Sequence, residues 1–216
     1  MSQDVDIKKF RKNLQTKVLE KQKVDRNPFV QFQKWFDVVL AGDFIEPNAM
    51  NLATVSRDGE ISSRMVLLKT FDETGFVFFT NYNSEKADDL QNTKKAALNF
   101  WWDKLDRQVR ISGKVGKIPT SESAEYFHTR PRGSQIGAAA SQQSQVIKSY
   151  AILEREYQQL EQQYLNQEIP CPEYWGGYRV TPSSFEFWQR RPNRLHDRLR
   201  YTQTFSNEWK IERLSP

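Results

Sequence analysis

The chain has 216 residues, of which 38% are hydrophobic and 13% aromatic, and its net charge is +5. This length and aromatic content predict one packed globular domain and exclude a disordered chain. The single cysteine, Cys171, excludes an internal disulfide framework and is typical of the reducing cytosol, so a cytoplasmic protein is expected. No stretch approaches the roughly 18 apolar residues of a membrane-spanning helix, and no membrane partner is expected.

Residues 1–28 form a basic leading segment, with eight Lys or Arg against four acidic residues. Charge runs of this kind are most often solvated, so we predict a flexible segment followed by a single domain over residues 29–216. A contact with nucleic acid is the alternative reading of this charge. Phe10 is the only aromatic residue of the segment, however, and no nucleic-acid partner is expected.

The first predicted element of the domain is a helix. Asn27 can cap it, Pro28 is favoured in its first turn, and apolar residues recur at helical spacing from Phe32 to Leu40 before Gly42. From Met50 onward the apolar spacing changes to two, which predicts five strands joined by short turns and hence an antiparallel meander that closes towards a barrel. The predicted strands cover residues 52–55, 63–70, 76–80, 96–102 and 108–115.

Three further helices are predicted. Ser84 is expected to cap a short helix over residues 84–92, and Thr120 to cap a second that ends at the breaker Arg130-Pro131-Arg132-Gly133. A longer helix is predicted over residues 144–163, because apolar residues recur there at alternating intervals of four and three. Such spacing fits a coiled coil, but more often means packing on a sheet.

Strands are also predicted over residues 175–180, 184–188 and 209–214. The fold class is therefore mainly β with flanking α-helices.

The densest cluster of candidate ligand-binding side chains lies near the carboxyl terminus. Phe185-Glu186-Phe187-Trp188-Gln189 is followed, after a four-residue spacer, by Arg194-Leu195-His196-Asp197-Arg198. Five arginines fall within eleven residues here, and His196 is one of only two histidines. Because arginine binds phosphate through paired hydrogen bonds and stacks on rings, the pattern fits a planar phosphorylated ligand. A solvated basic loop fits the composition equally well.

A phosphorylated ligand would have to be held by side chains, since no Gly-x-Gly-x-x-Gly or Gly-Lys-Ser/Thr segment occurs. Arg64 and Lys69 flank an apolar strand, but a regular strand turns them to opposite faces unless a bulge intervenes. Lys86 lies in the first turn of a predicted helix, where an anion is favoured. Tyr126 and Arg130 are four residues apart, share one face of a helix and make a credible phosphate clamp.

Residues 185–198 closely resemble the carboxyl-terminal signature of the pyridoxine/pyridoxamine 5′-phosphate oxidases, which are FMN enzymes that make pyridoxal 5′-phosphate. The resemblance extends over roughly residues 29–216. It implies an FMN-binding split β-barrel that forms a homodimer with shared active sites. It also implies oxidation of pyridoxamine 5′-phosphate and pyridoxine 5′-phosphate with O₂ as acceptor, giving H₂O₂ and, from the amine, NH₃.

The resemblance further implies roles for individual residues. Arg194 and His196 would be catalytic and would bind the substrate, and the pKa range of His196 suits proton exchange near neutrality. The remaining substrate-binding residues would be Lys69, Tyr126, Arg130 and Ser134, with Ser134 in the turn that follows Arg130. The residues expected to bind FMN are Arg64, Met65, Val66, Leu67, Leu68, Lys69, Phe79, Thr80, Lys86, Gln108, Gln143, Ser144, Trp188 and Arg198. No metal is expected, because two histidines and one cysteine offer no ligand set.

The chain departs from the family pattern at two places. Members carry Arg immediately before the helix lysine, whereas this chain has Glu85, and we expect Glu85 to point away because its carboxylate would repel a phosphate. In the leading segment Arg11 is present, but Leu14 stands at a Tyr position and Lys17-Val18 at a Gly-Gly position. A role for this segment as a lid over substrate is therefore weakly supported.

Two other functions are compatible with the sequence. The first is a non-catalytic split-barrel protein that carries or senses flavin or pyridoxal phosphate. The second is a basic module that binds polyanions, although the interspersed acids Glu186, Asp197 and Glu212 argue against it.

Overall fold

The structure is a computed structural model of the chain, and it describes residues 18–216. The described helices are α1 (Pro28–Leu40), α2 (Glu85–Thr93), α3 (Thr120–Thr129), α4 (Arg132–Ala140) and α5 (Tyr150–Gln163). The described strands are β1 (Ala49–Val55), β2 (Ile61–Leu67), β3 (Thr70–Asp72), β4 (Gly75–Asn81), β5 (Lys95–Trp102), β6 (Arg107–Lys117), β7 (Trp175–Gln189), β8 (Asp197–Gln203) and β9 (Trp209–Leu214).

All nine strands belong to one antiparallel sheet, in the order β2-β1-β5-β6-β7-β4-β3, with β8 paired to β7 and β9 paired to β8. The predicted fold class, mainly β with flanking helices, is confirmed. The predicted simple meander is wrong, because β4 pairs with the distant β7 while α2 separates it from β5.

Strand β7 joins into one strand the two that were predicted over residues 175–180 and 184–188, and it organises the sheet. Its first part pairs with β4 and its second part with β8, while β6 runs along its other edge. Residues 181–183 were not predicted as strand, and Pro182 lies among them, opposite the register shift between Ser112 and Gly113 on β6. Pro182 is thus accommodated at a bulge, one of the few places where a strand tolerates proline.

Other predicted boundaries also move. Helix α5 begins at Tyr150, six residues after its predicted start, and α3 is preceded by Pro119, so that Thr120 is its first helical residue rather than its cap. Helix α4 was missed, because Pro131 and Gly133 indicate a breaker, whereas Pro131 occupies the position just before that helix. Asn27 caps α1 as predicted, its side chain accepting a hydrogen bond from the amide of Phe29 at 2.9 Å.

The main core lies between α1 and the sheet and consists largely of aromatic rings. Phe32 is fully buried, and its ring makes edge contacts with Phe71, Phe76 and Phe100 at 4.9 to 5.1 Å between centroids. A second, smaller core joins α3, α4 and the residues after α5 to the start of β7, with Phe127, Ile136, Ile169 and Trp175 buried in it. This second core supports the helices that border the candidate site.

The described part of the leading segment lies against the carboxyl-terminal strands. The Leu19 amide donates to the Asp197 carboxylate at 3.1 Å, and Arg213 bonds both Asp197 and the Leu19 carbonyl, at 2.8 and 2.7 Å. Arg11, Leu14 and Lys17 lie outside the described residues, so the division of the chain at residue 28 stays a prediction.

Two properties of the described residues bear on function. In residues 18–216 no helix combines the length and apolar character needed to cross a membrane. Over the same range no cluster of three or more His, Cys, Asp or Glu is arranged to hold a metal ion.

The bulge between β6 and β7 gives a first prediction. A Cβ added at Gly113 would lie 2.0 Å from the Thr181 carbonyl oxygen, which belongs to a paired strand and cannot move away. We expect Gly113→Ala to lower the free energy of unfolding by at least about 1–3 kcal/mol, measured by chemical denaturation. Gly116→Ala on the same strand is the control, because the described residues leave open space around its added Cβ. Equal stability of the two variants would contradict the bulge.

Candidate active site

A pocket of about 990 Å³ opens beside the edge strand β2, the start of α2 and helices α3 and α4. This volume is at the upper end of the usual range for small-molecule sites. The pocket is lined by thirteen of the residues predicted for cofactor or substrate: Arg64, Met65, Val66, Leu67, Lys69, Phe79, Thr80, Lys86, Tyr126, Arg130, Ser134, Gln143 and Ser144.

Arg64 and Lys69 both line this pocket, although their odd spacing predicted opposite faces in a regular strand. The reason is that β2 ends at Leu67, so Lys69 lies in the short connection to β3, where its amide donates to the Val77 carbonyl at 2.9 Å. Leu68 does not line the pocket, since its side chain is buried in the main core.

Lys86 is the most buried cation of the pocket, with a relative exposure of 8%. Its Nζ donates to Gln143 Oε1 at 2.8 Å, to Ser84 Oγ at 3.1 Å and to Thr80 Oγ1 at 3.3 Å. Burial and, to a smaller extent, repulsion from Arg64 lower the pKa of Lys86 to about 8, although the negative charge of Glu85 partly offsets both effects. The ammonium is thus surrounded by neutral oxygens and lacks a direct carboxylate partner among the described residues.

Glu85 was expected to point away from the pocket, and this prediction is wrong. It lines the rim, where its exposed carboxylate accepts a hydrogen bond from Ser62 Oγ at 3.2 Å. Because its charge is felt at Lys86 but its oxygen is held by Ser62, Glu85 weakens the positive potential of the pocket without contacting the ammonium.

Three stacked aromatic rings form the other side of the pocket. Phe79 lies between Tyr126 and Trp175, with ring centroids 4.1 and 5.1 Å away and nearly parallel planes. The Arg130 guanidinium lies 4.7 Å from the centroid of Trp175, and Lys69 Nζ is 6.0 Å from that of Tyr126. Cations over aromatic faces are attracted by the ring quadrupole, so this stack orients both cations towards the pocket.

The clamp of Tyr126, Arg130 and Ser134 is assembled differently from the prediction. Arg130 is not helical, since α3 ends at Thr129, and Ser134 lies within α4 rather than in a turn. The Arg130 Nη1 atom is buried and has no hydrogen-bond partner among the described residues. An orphaned guanidinium nitrogen is costly to bury, so this position fits an anion from a ligand.

Trp175 is a pocket-lining residue that sequence reasoning assigned only to a strand. Its position at the start of a strand, next to Gly176-Gly177, was the available signal. Both glycines are needed for close packing, because a Cβ at Gly176 would lie 2.2 Å from the Tyr82 hydroxyl oxygen and one at Gly177 would lie 2.5 Å from Ile118.

The remaining predicted residues form a second group outside this pocket. Trp188 pairs across the sheet with Gln108 on one side and with Arg198 on the other, and the His196 ring lies 4.6 Å from Trp188. Arg194 lies near His196 on a left-handed backbone, with φ of 62°. Arg198 makes a two-pronged ion pair with the Glu186 carboxylate, at 2.7 and 3.2 Å.

The hydrogen bonding of His196 defines its protonation. The Arg191 backbone amide donates to His196 Nδ1 at 3.2 Å, so Nδ1 must present a lone pair and the neutral ring carries its proton on Nε2. Burial lowers the pKa of His196, as do the nearby Arg190 and Arg194. His196 is therefore a neutral ring that offers an N–H donor at Nε2.

The two groups lie at opposite ends of β7. Trp175 contributes to the pocket and Trp188 to the second group. They are thirteen residues apart, or about 40 Å along an extended strand. A ligand of ordinary size that occupies the pocket of one chain therefore does not reach the second group along that strand.

Comparison with known proteins gives a consistent result. A family model described as pyridoxamine 5′-phosphate oxidase matches residues 41–164, and one described as pyridoxine 5′-phosphate oxidase C-terminal dimerisation region matches residues 175–216. A pyridoxine/pyridoxamine 5′-phosphate oxidase of Nostoc punctiforme is 55% identical over 213 residues, covering 99% of this chain and 100% of the relative. The chloroplastic enzyme 1 of that name from Arabidopsis thaliana is 52% identical, covering 98% of this chain and 41% of its own.

Solved structures agree. PhzG from Burkholderia lata, in complex with tetrahydrophenazine-1-carboxylic acid, is 30% identical with a TM-score of 0.87, covering 93% of this chain and 99% of that one. A pyridoxamine 5′-phosphate oxidase-related, FMN binding protein from Nostoc punctiforme, at 16% identity and a TM-score of 0.71, shares the fold over 89% of this chain and 100% of its own. The predicted split-barrel fold is confirmed.

The buried Lys86 gives a second prediction. Its positive charge is present below its pKa of about 8 and is lost above it. If a phosphate binds here, the affinity for FMN, measured by fluorescence titration of the apoprotein, should be about tenfold weaker at pH 9 than at pH 7. Lys86→Met should bind FMN more weakly at both pH values and lose this dependence. An unchanged pH dependence in Lys86→Met would exclude Lys86 as its source.

Proposed function

Because the chain belongs to the pyridoxine/pyridoxamine 5′-phosphate oxidase family, we propose that this oxidoreductase uses FMN to oxidise pyridoxamine 5′-phosphate and pyridoxine 5′-phosphate to pyridoxal 5′-phosphate. O₂ is the electron acceptor and is reduced to H₂O₂. The amine reaction also consumes one water molecule and releases NH₃. The alcohol reaction consumes no water and releases no NH₃. Since both the cofactor and the substrates carry a phosphate monoester, the site must bind two such groups.

The observation that carries this proposal is the presence of two sets of anion-binding groups in one pocket. The first set is Arg64 and Lys86, with neutral donors on Thr80, Gln143 and Ser144. The second is Lys69 and Arg130, with the hydroxyls of Tyr126 and Ser134. Arg64 and Lys69 are five residues apart, or about 16 Å along the chain if extended, which leaves room for a ring system between two phosphates.

The residues present fit FMN. Lys86 and Arg64 supply charge for its phosphate, and the unpaired, buried Arg130 Nη1 fits a second anion. Strand β2 is at the edge of the sheet and pairs only with β1 among the described residues, so alternate backbone groups along its outer edge lack a sheet partner, and Met65, Val66 and Leu67 line the pocket. Free strand edges offer alternating donors and acceptors, which suits the carbonyl and imide groups of a flavin ring.

The protein's contribution to the reaction is binding and orientation. The hydride and electron chemistry is supplied by FMN when it is bound. Lys69, Tyr126, Arg130 and Ser134 would hold the substrate phosphate. The second group would then contact the substrate ring: Arg194 through its guanidinium, and His196 through Nε2–H to an ionised ring oxygen.

The second group has to come from another subunit. The match of residues 175–216 to a dimerisation region supports a homodimer. We assign Gln108, Trp188, Arg194, His196 and Arg198 of one subunit to the pocket of its partner, which would overcome the separation along β7. The Glu186–Arg198 ion pair would hold the Arg198 side chain in place at that boundary.

A spectroscopic experiment tests the reaction. The visible flavin band of the FMN-loaded protein should bleach on anaerobic addition of pyridoxamine 5′-phosphate and return when air is admitted. A flavin band that ignores substrate would favour a carrier or sensor instead. Absence of any flavin binding after addition of FMN would refute the oxidase assignment. The first variant to make would then be Glu85→Arg, which removes the carboxylate at the rim of the pocket.

Complementation between variants tests the shared site. Arg130→Met and Arg194→Met should each be inactive, but chains mixed in equal amounts and reassociated should recover about a quarter of the wild-type activity, because one site in four combines two intact groups. A mixture of Arg130→Met with Lys86→Met is the matched control. Both changes lie in the same group, so no mixed dimer restores a site and activity should stay absent. Equal recovery in both mixtures would contradict sharing.

A further inference from the structure

A buried chain of hydrogen bonds lies behind Arg64, outside the pocket itself. Arg64 Nη1 donates to Thr54 Oγ1 at 2.6 Å, and Thr54 Oγ1 donates to Asp89 Oδ2 at 2.6 Å. Thr54 lies on β1 with 3% exposure, and Asp89 lies on α2 with 5% exposure. Neither residue lines the pocket. The three side chains thus join two strands and a helix, with Thr54 and Asp89 buried and Arg64 half-buried.

The direction of this chain is fixed by its end. The Asp89 carboxylate can only accept hydrogen bonds, so the single hydroxyl proton of Thr54 is committed to it. The lone pairs of Thr54 Oγ1 are then turned towards β2, where Arg64 donates to them. Asp89 takes part in no ion pair among the described residues, and its hydrogen-bond connection to Arg64 passes through Thr54.

The need for such a support follows from the neighbouring charges. Arg64 lies close enough to Lys86 to lower its pKa, so the two cations repel one another. A free guanidinium would turn towards solvent to relieve that repulsion, because its side chain has several rotatable bonds. The bond to Thr54 holds one nitrogen of Arg64 inward and leaves the others for a ligand.

We infer that Thr54 and Asp89 are positioning residues for the phosphate of FMN, acting through the guanidinium of Arg64. This rests on the proposed function and extends it to two residues that touch neither cofactor nor substrate. Their buried contacts tune the affinity for the phosphate and leave the affinity for the flavin ring unchanged.

The test compares FMN with riboflavin, which has the same ring but no phosphate, by fluorescence titration of the full-length apoprotein. Thr54→Val should raise the Kd for FMN about tenfold, as expected for a lost hydrogen bond to a charged group, and leave the Kd for riboflavin unchanged. Thr54→Ser keeps the hydroxyl and should bind FMN like the wild type. Thr181→Val is the control, because among residues 18–216 that hydroxyl bonds only the Thr74 carbonyl.

A double-variant cycle separates positioning from a general structural effect. In an Arg64→Met background, Thr54→Val should cause no further loss of FMN affinity, because its effect passes through the missing guanidinium. Asp89→Asn keeps an acceptor oxygen but no longer fixes the direction of the Thr54 proton, so it should cause a smaller loss than Thr54→Val.

Three results would overturn the inference: additive losses in the Arg64→Met background, equal losses for FMN and riboflavin, or a Thr54→Val that behaves like Thr181→Val. A failure of the proposed function looks different. The wild type would then bind FMN no more tightly than riboflavin, and the inference would fall with the phosphate site on which it rests.

Discussion

The pairing of β7 is the constraint on which the rest of the molecule depends. One edge of this strand is divided between β4 and β8, while its other edge is covered by β6. The arrangement holds Trp175 beside the pocket and Trp188 beside His196, at opposite ends of one rigid element. Because hydrogen bonds on both edges fix the strand, the separation of the two groups is built into the sheet rather than into a loop.

The pocket is prepared for anions before any ligand arrives. Lys86 is buried among neutral oxygens, and Arg130 is stacked on Trp175 with one nitrogen unsatisfied. Both arrangements are costly in the free protein, since buried charge is stabilised only partly by neutral dipoles. A ligand with a phosphate compensates these buried positive charges, so part of its binding free energy comes from removing that electrostatic cost. Glu85 moderates the same potential from the rim.

Local sequence patterns predicted most of the strands, because alternation is a local property, whereas most of the site residues were implied by the resemblance to a known family. They could not group those residues, since Lys69 joins Arg64 only where β2 ends, and Arg130 joins Tyr126 through a helix end rather than a shared helical face. Helix α4 and strand β8 were missed because glycines and charged residues obscure their periodicity. Thr54 and Asp89 gave no signal, since their contact spans 35 positions of the chain.

The contacts of Leu19 set the order in which the molecule can be completed. Its amide bonds Asp197, 178 positions later, and its carbonyl bonds Arg213, 194 positions later. At ordinary rates of synthesis, roughly ten to thirty-five seconds pass between the emergence of Leu19 and of its first partner. During that interval Leu19 lacks both of these partners, so its place against the carboxyl-terminal strands can be taken only after those strands have been synthesised.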